Sequence, residues 1–187
     1  LAIEAPHGYH TAFDRDTLAG INVLEDIATT RGARFCDADT YVSREMAESM
    51  VDLLAQLHAH AYDSARLDNE WRWLANFADW FEIGARKMAT EHYTRKAMLR
   101  MRERVPARLV KRLDEIWPAT VAASAIHRQG PRGLLHSDVH IGNWYRNLRG
   151  RMGLFDWQCV AQGHWSRDIA YALSAALTIE DRRAWER

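Results

Sequence analysis

Two cysteines, four prolines and no surplus of charge mark what this 187-residue chain has little of. Cys36 and Cys159 are too few and too isolated for a disulfide framework or a zinc site, and two free thiols suit a reducing cytoplasm. Lysine plus arginine total 25, as do aspartate plus glutamate, so no basic excess speaks for nucleic acid or an anionic membrane. No apolar run approaches about 18 residues, which excludes a membrane-spanning helix. No charged-then-apolar leader opens the chain. Repeats and low-complexity tracts are also missing. What is there, 48% apolar and 27% charged residues, suits one ordinary domain with a substantial core.

The patterning is that of a mostly helical α+β protein. Residues 1–26 read as extended: Tyr9, Thr11 and Phe13 alternate, Asp14 to Gly20 is turn-rich, and Ile21 to Leu24 is a short β run. An amphipathic helix is expected from about Tyr41 to Ala61, with Met46, Met50, Leu53, Leu54, Leu57 and Ala61 on one face. His58 near its end reads as a packed or surface histidine. Residues 68–126 read as helical. Trp71, Leu74, Ala78, Phe81, Ala85 and Met88 form one stripe there, read as helix–helix core. Trp73 and Trp80 join Trp71 as core filler, although such a cluster also suits an apolar or cationic acceptor. A further helix starts near Pro106 and is kinked or divided at Pro118. Residues 159–164 read as a loop, and Ser166 as the cap of a helix over 167–177. Thr178 to Asp181 resembles a capping box opening a helix that would run past Arg187. With Leu1 rather than Met in front, the chain reads as a piece of a longer protein.

The chemistry is concentrated in Leu134 to Gln158, LLHSDVHIGNWYRNLRGRMGLFDWQ. Leu134-Leu135 and Gly153-Leu154-Phe155 are short apolar strands that deliver Asp138 and Asp156. Asn147, Leu148, Arg149 and Gly150 form a hairpin turn, with Gly150 supplying the permissive backbone. With Arg149-Gly150 as the tip, Asn143 falls directly opposite Asp156. Opposed residues share a face about 5 Å apart, which suits an amide and a carboxylate holding a hard cation such as Mg²⁺. Asp138, on the loop feeding the hairpin, reaches the same spot from the side.

His136-Ser137-Asp138, four residues, Asn143, and then Asp156 after a hairpin match the spacing of protein-kinase-like phosphotransferases. HSDVHIGNW and LFDWQ resemble in particular the aminoglycoside phosphotransferase and choline/ecdysteroid-kinase-like families. The resemblance covers most of the chain. It implies the large C-terminal lobe of a protein-kinase-like fold, with a catalytic β-hairpin and a remnant of the small-lobe sheet plus hinge. Residues 1–27 would be the end of that sheet and the hinge. Residues 28–187 would be a helical large lobe truncated at its C-terminus, with an acceptor-site region at about 64–128.

The activity so implied is that of a small-molecule kinase using ATP and Mg²⁺ on a hydroxylated acceptor. Asp138 would be the base and His136 would fix its loop. Asn143 and Asp156 would hold the metal. Glu25, Asp26 and Ile27 would present hinge backbone to the adenine edge, and His140 would steady the loop or touch phosphate. Asp168, in the D-x-A-Y pattern, would brace the catalytic loop. No Gly-rich phosphate loop and no V-A-I-K-like lysine precede residue 26, so this piece alone is expected to be catalytically poor. Two other readings compete. His136, Asp138 and His140 alternate, and on a strand they could serve a metal-dependent hydrolase. A pseudokinase or binding module would use the same fold without turnover.

Overall fold

A computed structural model describes residues 2–186; Leu1 and Arg187, the latter at the expected run-on of the last helix, lie outside the described residues. The elements in chain order are β1 (Gly8–Phe13), β2 (Gly20–Leu24), α1 (Ile27–Arg31), β3 (Arg34–Phe35) and α2 (Arg44–His60). They continue with α3 (Phe77–Lys87), α4 (Thr90–Arg100), α5 (Ala107–Val110), α6 (Leu113–Ser124), β4 (Gly133–Leu135), β5 (Trp144–Arg146) and β6 (Met152–Leu154). β7 (Ala161–Gly163), α7 (Ser166–Ala176) and α8 (Ile179–Trp185) close the chain. The class is α+β with helix predominating. Among the described residues no helix is long and apolar enough to cross a membrane.

Two compact units are present. The first comprises Leu1–His60, Leu135–Val160 and Trp165–Arg187. Its centre is the antiparallel sheet β3-β5-β6, against which α2 packs. The apolar stripe of α2 is buried as its spacing requires: Met50, Leu53, Leu54 and Leu57 all face inward, as do Trp144, Tyr145, Met152 and Leu154 of the hairpin. His58 is a packed histidine. Thr178 caps α8, its Oγ1 accepting the Asp181 N–H at 3.1 Å.

The N-terminal strands form the expected hairpin, exposed on both faces. The segment before it is tied inward at Glu4. The Glu4 carbonyl accepts the Leu154 N–H at 3.0 Å. Its carboxylate accepts the Tyr145 hydroxyl at 3.0 Å and the Arg31 guanidinium at 2.7 Å. The Tyr145 ring lies across Gly153, where an added Cβ would sit 2.1 Å from the ring.

The second unit, Ala61–Leu134 with Ala161–His164, is where the secondary-structure reading needs most correction. The stripe from Trp71 to Met88 is not one helix. Asn76 breaks it: its side chain accepts the Ala78 N–H and starts α3 at Phe77, so Trp71 and Leu74 lie on turns. Trp73 and Trp80 are exposed rather than core filler. Pro118 does not divide the chain into two helices. It sits inside a continuous α6, and the break falls earlier, between Val110 and Leu113. Residues 161–163 form a strand paired with β4, not a loop. Nothing in Ala-Gln-Gly signals a strand. Gln162 is held there by tertiary partners, its Nε2 donating to the Leu67 and Trp71 carbonyls at 2.9 Å each and its Oε1 accepting from Arg132 at 3.0 Å. Ser166 is the first residue of α7 rather than its cap.

Candidate active site

The loop that carries Asp138 begins where β4 ends. The N–H groups of His136 and Ser137 donate to the two carboxylate oxygens of Asp168, at 2.8 and 3.0 Å. Asp168 lies in the first turn of α7, fully buried. Burial pushes its pKa up, while these two N–H groups pull it back toward the carboxylate. The bracing that the resemblance implied for Asp168 is therefore visible as two hydrogen bonds. Ser137 needs the support: its φ is +69°, a region L-residues enter at a cost of about 1–3 kcal/mol.

His136 explains how the loop is joined to the hairpin. Its Nε2 lies 2.9 Å from the Phe155 carbonyl, which can only accept, so Nε2 carries the proton. Nδ1 is then a lone pair and accepts the Asp138 N–H at 3.3 Å. Burial pushes the His136 pKa below its usual value despite that carbonyl and three nearby carboxylates. A neutral ring satisfies both bonds at once. One imidazole thus ties the backbone of Asp138 to the peptide leading into Asp156.

The stability consequence has a definite sign. An unfolded histidine titrates near 6.5 and the folded one lower, so below 6.5 the unfolded chain binds the extra proton. This contribution is full above that pH and is lost as pH falls. The melting temperature should drop between about pH 7.5 and 5.5, and His136→Gln should flatten that slope. Parallel melts of the two proteins check it; equal slopes would show that His136 is not the group responsible.

Asn143 ends a short 3₁₀ turn, Ile141–Asn143, capped by His140, whose Nδ1 accepts the Gly142 N–H. The Asn143 Nδ2 donates to the Asp138 carbonyl at 2.8 Å and to its Oδ2 at 3.3 Å. Two acceptors on one side assign the amide nitrogen. Its Oδ1 is left with no hydrogen bond among the described residues. Asp156 is similarly uncommitted. It precedes the 3₁₀ turn Trp157–Cys159 without capping it, its φ is +62°, and its Oδ2 accepts from Gln158 at 3.3 Å.

The hairpin register differs from expectation by one residue. Trp144 faces Leu154 and Arg146 faces Met152, so Asn143 stands opposite Phe155, whose N–H donates to the Asn143 carbonyl at 3.1 Å. The cause is the turn. Asn147 Oδ1 accepts the N–H groups of Arg149 and Arg151, and Gly150 adopts φ +78°. This makes a three-residue loop with a left-handed glycine in place of a two-residue tip. The left-handed Asp156 backbone ends strand alternation just there, so its side-chain direction is no longer set by register. Asp138 and Asp156 still bear on common neighbours: after burial, both carboxylates push the Cys159 thiol pKa up, and both act on the His136 ring.

His140 is half-exposed, its Nε2 3.8 Å from Asp138 Oδ2, too far for a hydrogen bond. The alternating-strand arrangement of His136, Asp138 and His140 is not formed. These residues are in a loop, and both His136 nitrogens are spent on backbone. Among the described residues no group of three or more His, Cys, Asp or Glu is placed to hold a metal.

The side chains of the expected hinge are occupied structurally. Glu25 accepts from Arg31, Thr30 and the His7 N–H, the Arg31 bond chiefly holding its carboxyl down at about 2. Asp26 caps α1 through the Thr29 N–H, and Ile27 is core beside Ala33 and Tyr145. The Ile27 N–H donates to the Glu25 carbonyl at 3.1 Å, leaving the Asp26 N–H without a partner among the described residues. Sequence reasoning passed over Arg167, whose guanidinium reaches the Ser137 carbonyl at 3.4 Å. A cation in the first turn of a helix opposes the dipole, and that anomaly was the available signal.

Comparison with curated protein sequences finds no match. Among solved structures, choline kinase LicA from Streptococcus pneumoniae aligns at 19% identity with a TM-score of 0.53, over 97% of this chain and 54% of that one. LicA in complex with AMP aligns at 19% identity and 0.54, over 97% and 53%. The chain therefore spans about half the length of the choline kinase chains it matches. At this identity the likeness shows the fold, that of protein-kinase-like proteins. A family model described as "Phosphotransferase enzyme family" matches residues 9–187. Covering nearly the whole chain, that match makes this protein a member of the APH phosphotransferase enzyme family.

Proposed function

We propose that the whole protein is a Mg²⁺-dependent small-molecule kinase that moves the γ-phosphate of ATP to an acceptor hydroxyl. The observation that carries this reading is the Asn143 amide. Its nitrogen is committed to Asp138 and its oxygen is left over, on a residue opposite Phe155, and the next residue, Asp156, carries a carboxylate that does not cap its own helical turn. An amide oxygen and a carboxylate are ligands a hard cation takes. Bound there, Mg²⁺ would neutralise charge on the nucleotide phosphates.

The chain's own residues do the rest. Asp138 accepts the proton of the attacking hydroxyl. Its carboxylate is oriented by Asn143, and its backbone by His136. Residues 1–27 act as the end of a small-lobe sheet and the hinge, with Glu25, Asp26 and Ile27 meeting the adenine; the free Asp26 N–H favours this. His140 steadies the loop through Gly142 and, 3.8 Å from Asp138 Oδ2, is assigned the phosphate contact. The AMP complex of LicA supports nucleotide use. Two unpaired thiols suit a cytoplasmic setting.

Asp156→Ala in the full-length protein should weaken Mg²⁺-ATP binding by roughly 10–100-fold, with little effect on ATP measured in chelator. Calorimetric titration in both conditions is the check. Undiminished Mg²⁺-dependent affinity would remove Asp156 as a ligand.

A further inference from the structure

Ser137 is the one left-handed residue of the catalytic loop before Asp138, and its own side chain does not account for that conformation. Its hydroxyl is buried and has no hydrogen-bond partner among the described residues. Both peptides flanking it are instead held from outside. The peptide before Ser137 gives its N–H to Asp168. The peptide after it gives its N–H to the His136 ring and its carbonyl to Arg167 Nη2, at 3.4 Å.

Arg167 is placed for that contact by its own helix. Its guanidinium stands 4.5 Å from the centroid of the Tyr171 ring, one turn further along α7. Burial pushes its pKa down, yet a guanidinium stays charged at any ordinary pH. A half-buried cation in the first turn of a helix is opposed by both desolvation and the dipole. The charge of Asp168, the Tyr171 ring, the charge of Asp138 and the Ser137 carbonyl offset part of those costs.

We propose that Arg167 is a positioning residue for Asp138. Rotating the Ser137–Asp138 peptide would swing the Asp138 side chain away from Asn143, and the Arg167 contact at the carbonyl resists that rotation. Asp168 fixes the backbone entering Ser137 and Arg167 fixes the backbone leaving it. Two consecutive residues of opposite charge thereby set the direction in which the carboxylate leaves the loop. This inference deepens the proposed function, since it rests on Asp138 as the base.

The test is amide hydrogen exchange on the full-length protein, compared for wild type, Arg167→Lys and Arg167→Gln, with Mg²⁺-ATP affinity measured alongside. Exchange at Ser137 and Asp138 should rise about tenfold or more in Arg167→Gln, with α2 and the β1–β2 hairpin unchanged. Mg²⁺-ATP affinity should stay within about twofold, since Asn143 keeps its bond to the Asp138 carbonyl and Asp156 is not altered. Arg167→Lys, which keeps a donor but not the planar stack, should fall between. Unaltered exchange at the two amides in Arg167→Gln overturns the proposal. A rise spread evenly over α2 and the hairpin overturns it too, because Arg167 would then be a general support. If Arg167→Gln does not fold, Arg167→Lys decides: no rise above wild type at those amides is fatal. Exchange is read without phosphoryl transfer, so a failure of Asp138 as base would appear only in an Asp138 variant and leave this result standing.

Discussion

Asp138→Asn in the full-length protein should lower phosphoryl transfer to a hydroxylated acceptor by about 10²–10⁴-fold, the usual contribution of a positioned base. The substitution is mild in structural terms. An amide oxygen at Oδ2 can still accept the Asn143 Nδ2 bond, and the backbone carbonyl that Asn143 also reads is untouched. The His136 ring continues to hold the residue-138 N–H. What is lost is the ability to take a proton. Nucleotide affinity should therefore remain within about twofold, because the residues assigned to the metal are not altered. Single-turnover transfer and calorimetry on the same preparations separate the two quantities. Undiminished transfer would remove Asp138 from the reaction. A parallel loss of binding would mean that it holds the metal instead.

Asp168→Ala should be the most destabilising single change in the first unit. It strips the acceptor from two buried N–H groups at once and leaves the left-handed Ser137 held on its C-terminal side alone. Each orphaned buried donor costs about 1–3 kcal/mol, so a loss on the order of 3–5 kcal/mol is expected. For a chain of this size that corresponds to a melting point lower by roughly 10 °C. Asp168→Asn keeps one carbonyl oxygen and should lose about half as much. Thermal melts followed by tryptophan fluorescence would show it. A midpoint within a degree or two of wild type would mean that the loop is held by something else. Activity should fall alongside stability, since Asp138 sits on the loop that is released.

Much of this site was legible because it is local. Asp138, Asn143 and Asp156 lie within one short stretch, and their spacing alone marks a loop feeding a hairpin. The errors came where one residue type has two uses. Asn147 followed by Gly150 suits a two-residue tip read at Arg149-Gly150 as well as the three-residue loop that forms, and the Asn147 side chain decides between them by taking two N–H groups. The one-residue shift it causes would flip a regular strand. The left-handed Asp156 ends the alternation there, so register no longer sets its side-chain direction, and no pattern of apolar residues announces that.

Elsewhere the periodicity of Trp71 to Met88 ran through Asn76, where capping overrides spacing. Pro118 was read as a breaker, although a helix can forgo one hydrogen bond when its neighbours are in place. Gln162 was invisible as a strand residue because its three bonds go to residues 67, 71 and 132, far away along the chain.

Glu4 lies ahead of residue 9, where the family match begins, and yet it bonds to both strands of the catalytic hairpin, at the Leu154 N–H and the Tyr145 hydroxyl. Homology and folding therefore draw their borders in different places. A version of this protein trimmed to the matched stretch would keep every residue assigned to chemistry and lose the strap that holds β5 and β6 beside the Arg31–Glu25 ion pair.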